Sequence, residues 1–370
     1  MADGRRRMAR VTRLSMTAPD DVRAIEAAIV AGEIDPAAVC AVFGKTEGNG
    51  CVNDFTRAFA VRAVQDCLAA HRPVESVASV AMVMSGGTEG GLAPHWLVFE
   101  ALPELGAAGA DALAIGVHVT EPLLPERIGR MAQVEMVADG VRAALAQAGI
   151  TDPANVHFVQ VKCPLVTAGR VAEAKVRGAV PKVSDTLKSM GQSRGASALG
   201  VAAALGEVAL SDLSDERIGA DTTVYSGRAS TSAGVELLGH EIVVLGRSNS
   251  WSGPLTIDSA LMRDAVDVSG LQDLLERNGL MVAGRMLAGE ADRLVALLAK
   301  AEPSTSGQLR GHRHTMLDDS DIAATRHARG FVAGALAGVV GHAELFVSGG
   351  AEHQGPDGGG PLAAIIRRPD

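Results

Sequence analysis

One short pattern, Ser-(Gly/Ala)-Gly-x-Glu, occurs three times along the 370 residues and limits the possible folds more than any other feature. The copies begin at Ser85, Ser232 and Ser348, and each follows a short apolar run of the kind that forms a buried strand. The segments that carry them run about 100 to 140 residues, far longer than the units of solenoid proteins. The pattern therefore predicts three related domains rather than an array of short repeats.

Two other residue types recur in the same order with each copy. A lysine stands at or near the end of an apolar run, and an arginine lies between that lysine and the serine. A lone Ser-Gly-Gly is a common loop sequence, but three complete sets, one per segment, are not expected by chance. We therefore predict descent from a triplicated unit. The lysines are Lys45, Lys162 and Lys300, and the arginines are Arg57, Arg194 and Arg329.

Strand-like and helix-like stretches are mixed in all three segments, which predicts an α+β chain. Predicted strands include residues 8–16, 111–119 and 156–162, and each of the three serines directly follows one. Predicted helices cover residues 56–71, 124–147, 194–208, 259–267 and 318–340. The expected units are residues 1–104, 111–250 and 255–370.

Composition excludes several classes of protein. The net charge of −9, with no long basic run outside residues 4–10, argues against a nucleic-acid binder, and those basic residues are expected to form a solvated arm. No run of 18 apolar residues occurs, so no membrane span is expected. The cysteines form no CxxC pair, which is typical of reduced thiols in a cytoplasmic protein. Cys163 beside Lys162 is an alternative nucleophile, but a small buried thiol is the favoured interpretation. The four cysteines are Cys40, Cys51, Cys67 and Cys163.

The three lysines, arginines and serines would form a strongly cationic pocket if they met on one axis. Such a pocket suits a small, electron-rich ligand with carbonyl groups, because hydroxyl, backbone N–H and guanidinium groups all donate hydrogen bonds. A lysine that is partly desolvated among other cations has a lowered pKa. When neutral, it can take the proton of a serine that attacks a carbonyl, while the remaining donors stabilise the oxyanion. The residues alone do not decide which Ser–Lys pair reacts.

Several longer segments resemble the cyanuric acid hydrolase and barbiturase family of ring-opening amidohydrolases. They are GKTEGNGCVNDFTR, MSGGTEG, LGHEIVVLGRSNSW, RHTMLDDSDIAATRHAR and VSGGAEHQGPDGGGP, and the resemblance spans essentially the whole chain. It implies three repeated α/β units around a pseudo-threefold axis, with sheets forming a central barrel, helices outside, and the active site where the units meet.

The reaction implied by the resemblance is hydrolysis of one ring amide. Cyanuric acid would give carboxybiuret, which loses carbon dioxide to form biuret. The motifs look closer to the cyanuric acid members than to the barbiturases, which open barbituric acid to ureidomalonate and remain the alternative. An alternative from another class is a non-catalytic protein that binds a small heterocycle.

The resemblance also implies roles for individual residues. The catalytic dyad falls on Lys162 and Ser232, while Lys45 and Lys300 belong to the other two dyads. Thr325, one helical turn before Arg329, is the implied specificity position. The implied substrate contacts are Arg57, Ser85, Gly86, Arg194, Ser232, Ala233, Arg329, Ser348 and Gly349.

A structural divalent cation, Mg²⁺ or Ca²⁺, is implied in the third unit, and no cofactor is implied for catalysis. One carboxylate, one side-chain amide and several carbonyl oxygens of a Gly/Pro loop suit a hard cation. A plain glycine-rich loop is the alternative. The expected assembly is a homotetramer. The implied metal ligands are Glu302, Ala351, Gln354, Gly355, Pro356 and Gly359.

Overall fold

The computed structural model describes residues 6–104 and 111–369, and its main strands form three sheets. The first sheet contains β1 (Arg6–Ser15), β2 (Val39–Thr46), β3 (Ala81–Gly86) and β4 (His95–Glu104). The second contains β5 (Ala112–Val119), β6 (Val156–Pro164), β7 (Ala229–Gly234) and β8 (Glu241–Ser248). The third contains β9 (Leu255–Met262), β10 (Leu294–Ala301), β11 (Phe346–Gly349) and β12 (Gly360–Arg367).

Helices connect the strands within each sheet. They are α1 (Arg23–Val30), α2 (Phe55–Ala69), α3 (Val74–Val77), α4 (Met131–Ala148), α5 (Ala168–Val176), α6 (Thr186–Ala204), α7 (Ser269–Arg277) and α8 (Ala324–Val340). Short 3₁₀ turns cover Pro125–Arg127, Pro153–Asn155, Leu210–Asp212 and Ala288–Arg293. Two-residue strands lie at Trp251–Ser252, Met281–Val282, Arg285–Met286, Gln308–Leu309 and His312–Arg313, and the first of these extends the first sheet beside β1.

The three sheets have the same strand order: β3-β2-β4-β1, β7-β6-β8-β5 and β11-β10-β12-β9. In each sheet the strand that comes second along the chain runs parallel to the strand that comes third and antiparallel to the strand that comes fourth. Each second strand also has a register shift near its start, as a β-bulge produces. The shifts lie at Val39/Ala41, Val156/Phe158 and Leu294/Ala296.

The sheets face one shared apolar core, and most helices pack on their outer sides. Phe43 and Phe99 of the first sheet lie with ring centroids 4.6 Å apart, and Phe346 of the third sheet lies 5.3 Å from Phe43. Phe158 of the second sheet is in the same core. Burying each such side chain contributes about 1.5–3 kcal/mol. Among the described residues the strand pairing does not close into a single barrel. The predicted central barrel is therefore not observed, and three separate sheets surround one core instead.

Two sequence predictions are wrong in detail, and one strand had no predicted counterpart. Residues 259–267 are not a helix, because β9 pairs with β12 along its whole length up to Met262, and this long-range pairing overrides local propensity. The strand β4 was not predicted, although it pairs with both β1 and β2. The basic residues 6–10 are not a free arm but the start of β1, where Arg10 Nε donates to Glu100 Oε2 at 2.7 Å.

The structure also bears on the membrane and cysteine predictions. Among helices in the described ranges, none combines the length and apolar character needed to cross a membrane. All four cysteines are free thiols, and burial raises the pKa of the Cys163 thiol. A raised pKa opposes the thiolate form, so it weighs against Cys163 as a nucleophile.

Candidate active site

Parallel strand pairing places each lysine of the repeated set beside its own serine. The pairs are register partners at the carboxyl ends of two neighbouring strands, so their side chains leave the same face of the sheet. All three lysines are completely buried, and all three serines are buried. The register pairs are Lys45 with Ser85, Lys162 with Ser232 and Lys300 with Ser348.

The lysines also join the three sheets to one another. Each ammonium nitrogen lies 2.7 Å from the carbonyl oxygen of the residue just before the pattern serine of another sheet. The contacts therefore run in a cycle through the sheets, and the nine predicted residues are brought to one place. The donors and acceptors are Lys45 to Val347, Lys162 to Met84 and Lys300 to Thr231.

The serine hydroxyls differ in their partners. Ser85 Oγ and Ser348 Oγ each accept a hydrogen bond of 3.3 Å from the lysine of their own sheet. Ser232 Oγ instead lies 2.9 Å from Ser348 Oγ, and no Lys162–Ser232 hydrogen bond occurs between these two described residues. One small cavity is lined by all the predicted substrate contacts: Arg57, Ser85, Gly86, Arg194, Ser232, Ala233, Arg329, Ser348 and Gly349.

Burial and neighbouring positive charges lower the pKa values of the lysines, as the sequence predicts. Burial, helped by the Arg329 guanidinium, holds the pKa of Lys45 well below its usual range. Burial and Arg194 lower the pKa of Lys300 to about 7. Burial also lowers the pKa of Lys162, but there a contact with Glu236 acts in the opposite direction. Amines of this kind can be neutral near neutral pH and can accept a proton from a serine.

Two of the three arginines are held by glutamates, and the sequence alone did not predict these pairs. Arg194 Nε and Nη2 donate to the two carboxylate oxygens of Glu352 at 2.7 and 2.6 Å. Arg329 binds Glu89 in the same two-pronged way, with Nε 2.7 Å from Oε2. The expected donor fork of these two arginines is therefore occupied, which leaves Nη1 for a ligand. The available signal was the glutamate at the fifth position of every copy of the pattern.

Glycine occupies the third position of the pattern in all three copies. In the first and third copies the backbone conformation and a close arginine explain why. Gly87 and Gly350 have φ angles of +101° and +82°, which side chains rarely adopt. A Cβ on Gly87 would lie 2.0 Å from Arg329 Nη2, and one on Gly350 would lie 2.4 Å from Arg194 Nε. The bare backbone thus lets each guanidinium pack directly on the loop that carries its glutamate.

Comparison with known proteins assigns the family. The model of the amidohydrolase ring-opening proteins matches residues 10–367. The cyanuric acid amidohydrolase of Bradyrhizobium sp. (strain ORS 375) is 59% identical over 366 residues, covering 98% of each chain. That of Azorhizobium caulinodans is 60% identical over 361 residues, covering 98% of this chain and 99% of the relative. The chain belongs to the ring-opening amidohydrolase family.

Solved structures agree with this family membership. The crystal structure of the cyanuric acid hydrolase from A. caulinodans has a TM-score of 0.91 at 60% identity, covering 98% of this chain and 100% of that chain. A second cyanuric acid hydrolase structure has a TM-score of 0.93 at 46% identity, with the same coverage. In its described residues, this ring-opening amidohydrolase therefore shares the mixed α+β fold of its relatives.

The loop predicted to hold a metal lies beside this ring-opening amidohydrolase's third sheet. Glu302 follows β10 directly, and its carboxylate accepts hydrogen bonds from Thr325 Oγ1 at 3.2 Å and from the Ala351 N–H at 3.2 Å. Burial raises the pKa of Glu302 to about 7, as does the nearby Glu352 carboxylate. Among described residues no lysine, arginine or histidine forms an ion pair with Glu302 within 4.0 Å. A half-buried carboxylate with a raised pKa and no such partner fits a cation site.

The remaining predicted metal ligands surround a cavity next to Glu302. The carbonyl-rich loop supplies Ala351, Gly355, Pro356 and Gly359 to its lining, which suits a hard cation. Gln354 differs from the prediction, since its Oε1 already accepts the Thr231 N–H at 2.6 Å. Of the six predicted ligands, Gln354 is the one that does not line this cavity. Within the described ranges no cluster of three or more His, Cys, Asp or Glu residues could hold a metal ion.

Thr325 links the predicted metal loop to the substrate cavity. It lies on α8, four residues before Arg329, and its hydroxyl donates to Glu302. A Cβ on Gly349 would lie 2.5 Å from Thr325 Cγ2, so the methyl group covers the strand end that carries the third serine. Thr325 therefore touches both the cavity wall and the carboxylate of the candidate metal site.

Proposed function

We propose that this chain is a cyanuric acid amidohydrolase that opens the s-triazine ring to carboxybiuret, which then loses carbon dioxide to give biuret. The observation that carries the proposal is one cavity lined by three serines and three arginines, in which each serine is the register partner of a completely buried lysine. Relatives with 59–60% identity that are named cyanuric acid amidohydrolases support it. A heterocycle-binding protein without activity has no need for three desolvated lysines beside serines.

The proposed chemistry uses Lys162 and Ser232 as a Ser–Lys dyad. Ser232 Oγ attacks one ring carbonyl carbon while its proton passes to Lys162. Backbone N–H groups and the guanidiniums stabilise the oxyanion, a contribution of about 2.7–4 kcal/mol per well-placed donor. The C–N bond then breaks, and the proton held by Lys162 passes to the leaving ring nitrogen. Water hydrolyses the resulting serine ester and releases carboxybiuret.

The architecture proposed for this function is three units related by a pseudo-threefold axis, comprising residues 1–104, 111–250 and 255–370. The shared strand order and the shared position of the register shifts support it. The boundary at residues 105–110 and the residues 1–5 and 370 lie outside the described ranges. Three equivalent carbonyls and three N–H groups make cyanuric acid the ring that matches such a site.

Specificity for this ring is the sharpest test of the proposal. Barbituric acid replaces one ring N–H by CH₂, and a site built to hydrogen-bond a group can reject an analogue lacking it by about 10⁴. The purified protein should therefore show a much higher kcat/KM for cyanuric acid than for barbituric acid. The loss of ring absorbance over time measures both rates. A higher value for barbituric acid would identify a barbiturase, and binding without turnover of either ring would identify a binding protein.

Thr325 is the proposed specificity residue within this site. Its contacts with Glu302 and the Gly349 strand end support this role. Thr325→Ser keeps the hydroxyl and removes only the methyl group that covers Gly349. We expect it to change the ratio of kcat/KM for the two rings while leaving the melting temperature nearly unchanged.

A structural divalent cation, Mg²⁺ or Ca²⁺, is proposed at Glu302 and the loop carbonyls, with no cofactor needed for catalysis. When bound there, the ion would neutralise the Glu302 carboxylate and order the loop that follows Ser348 and β11. A homotetramer in the cytoplasm is the proposed state of the protein. Elemental analysis of the purified protein tests the ion, and light scattering during size-exclusion chromatography tests the assembly.

A further inference from the structure

The glutamate of the middle copy has a different partner from the other two. Glu89 and Glu352 each bind an arginine through both carboxylate oxygens. Glu236 Oε1 instead lies 2.8 Å from Lys162 Nζ, and its nearest arginine nitrogen, Arg57 Nε, is 3.8 Å away. The Glu236 side chain is only 6% exposed, so this ion pair is shielded from water.

A backbone difference accounts for this placement. In the first and third sheets, parallel pairing ends at the second pattern residue, Gly86 or Gly349. In the second sheet it continues one residue further, so that Gly234 pairs with Pro164 and remains in β7. A Cβ on Gly234 would lie 2.0 Å from Glu236 Oε2, so the carboxylate folds back over this bare backbone. The strand pairing that extends one residue further past Ser232 is therefore the backbone feature that goes with the turn of the middle glutamate toward the lysine.

Other charged or titratable groups also face Lys162. Arg57 on α2 opposes its positive charge and lies 3.9 Å from the Asp54 carboxylate. Glu241 on β8 is the register partner of Lys162, and its Oε2 accepts the Met82 N–H at 2.8 Å. Cys163 follows on the same strand. Among the described residues neither Lys45 nor Lys300 has a carboxylate oxygen within 4.0 Å, so direct contact with a carboxylate distinguishes Lys162.

We propose that Glu236 is a positioning residue that holds the Lys162 amine in place and stabilises the ammonium formed when Lys162 takes the proton of Ser232. In that step the Ser232 O–H bond breaks, an N–H bond forms on Lys162, and the serine oxygen bonds to the ring carbonyl carbon. The adjacent carboxylate offsets the cost of creating a cation in a buried site that already contains three guanidiniums. The contact also provides a physical reason why the middle dyad differs from the other two. The inference rests on the proposed function.

The test compares Glu236→Gln with Glu89→Gln in the full-length protein, using kcat and KM for cyanuric acid across pH. Removing the charge at Glu236 lets Lys162 lose its proton at lower pH, so the acidic limb of kcat/KM should move down by about one pH unit. The plateau kcat should fall about tenfold or more, because the nascent ammonium loses its partner, while KM changes little. Glu89→Gln weakens an arginine contact and should raise KM without moving the limb.

The inference is overturned if Glu236→Gln has the wild-type kcat and an acidic limb of kcat/KM at the wild-type pH. It is also overturned if Glu89→Gln shifts that limb by the same amount. Should Glu236→Gln fail to fold, Glu236→Asp retains the charge at a longer distance. The inference is supported if the acidic limb of kcat/KM lies at lower pH in that variant than in the wild type. It is overturned if the limb lies at the same pH. Failure of the wild-type protein to open cyanuric acid would instead remove the proposed function itself, so the two failures are distinguishable.

Discussion

Arg329 on α8 binds Glu89, which lies 240 residues earlier in the chain in the loop after β3. The arginine on α6 binds the glutamate after β11, and the arginine on α2 lies near the glutamate after β7. These contacts join helices of one sheet to loops of another. They also tie the substrate cavity to the contacts that hold the sheets together, so mutations at the arginines should affect both binding and stability.

The first prediction concerns this ion pair. Arg329→Lys keeps the charge but cannot reproduce the two-pronged contact, so part of the buried Glu89 carboxylate loses its donors. We expect the free energy of unfolding to fall by about 1–3 kcal/mol and KM for cyanuric acid to rise at least about tenfold. Urea titration and steady-state kinetics measure the two effects.

Arg326→Lys is the matched control, because Arg326 is on the same helix and its Nε lies 3.6 Å from the same carboxylate, with a side chain that is 36% exposed. Its effect on unfolding should stay within about 0.5 kcal/mol. Equal effects of the two lysine substitutions would contradict a special role for the Arg329 contact.

A second prediction concerns the nucleophile and base. Ser232→Ala and Lys162→Met should each reduce kcat by about 10³-fold or more while the circular dichroism spectrum stays that of the folded protein. Ser85→Ala removes the equivalent hydroxyl from the first sheet and should retain measurable turnover with a raised KM. If Ser85→Ala were inactive and Ser232→Ala kept nearly the wild-type rate, the reacting dyad would be the one in the first sheet.

The third prediction concerns the candidate cation at Glu302. Glu302→Gln removes the charged ligand and should lower both the divalent metal content and the melting temperature, because a cation that binds only the folded state stabilises it. Activity should fall indirectly, through loosening of the loop that follows the strand of Ser348. A chelator should lower the melting temperature of the wild type but not that of the variant. Equal chelator effects on both proteins would place the ion elsewhere or argue against it.

The fourth prediction concerns pH and Glu241. Burial raises the pKa of Glu241 to about 7 from a usual value of 4.5. Between these values the folded state binds more protons than the unfolded state, so this group makes the protein less stable as pH rises from about 4.5 to 7. Glu241→Gln cannot ionise and can still accept the Met82 N–H. It should therefore gain stability relative to wild type between pH 5 and 8, on the order of 1–3 kcal/mol.

Urea titrations at several pH values measure this difference. Asp66→Asn, at a side chain that is 59% exposed, is the control and should show a nearly constant offset across the same range. A Glu241→Gln variant whose offset also stays constant with pH would show that the buried carboxyl does not titrate in this window.

Local patterns in the sequence predict many of the strands and the residue types of the site. The apolar runs that end in a lysine, as at Lys162, and those that lead into the pattern serines do form neighbouring strands. The nine predicted lysines, arginines and serines do meet in one region. This succeeded because periodicity and the order of motifs are local properties, and because the same set recurs in all three segments.

The contacts between groups of different sheets arise only when the chain has folded. Nothing near Arg329 in the sequence indicates Glu89 as its partner, and nothing local indicates that β9 would be a strand paired with β12 rather than a helix. The same pentapeptide also directs Glu236 to a lysine and its two counterparts to arginines. This difference goes with one additional residue of strand pairing, at Gly234, and such pairing depends on how distant strands pack together.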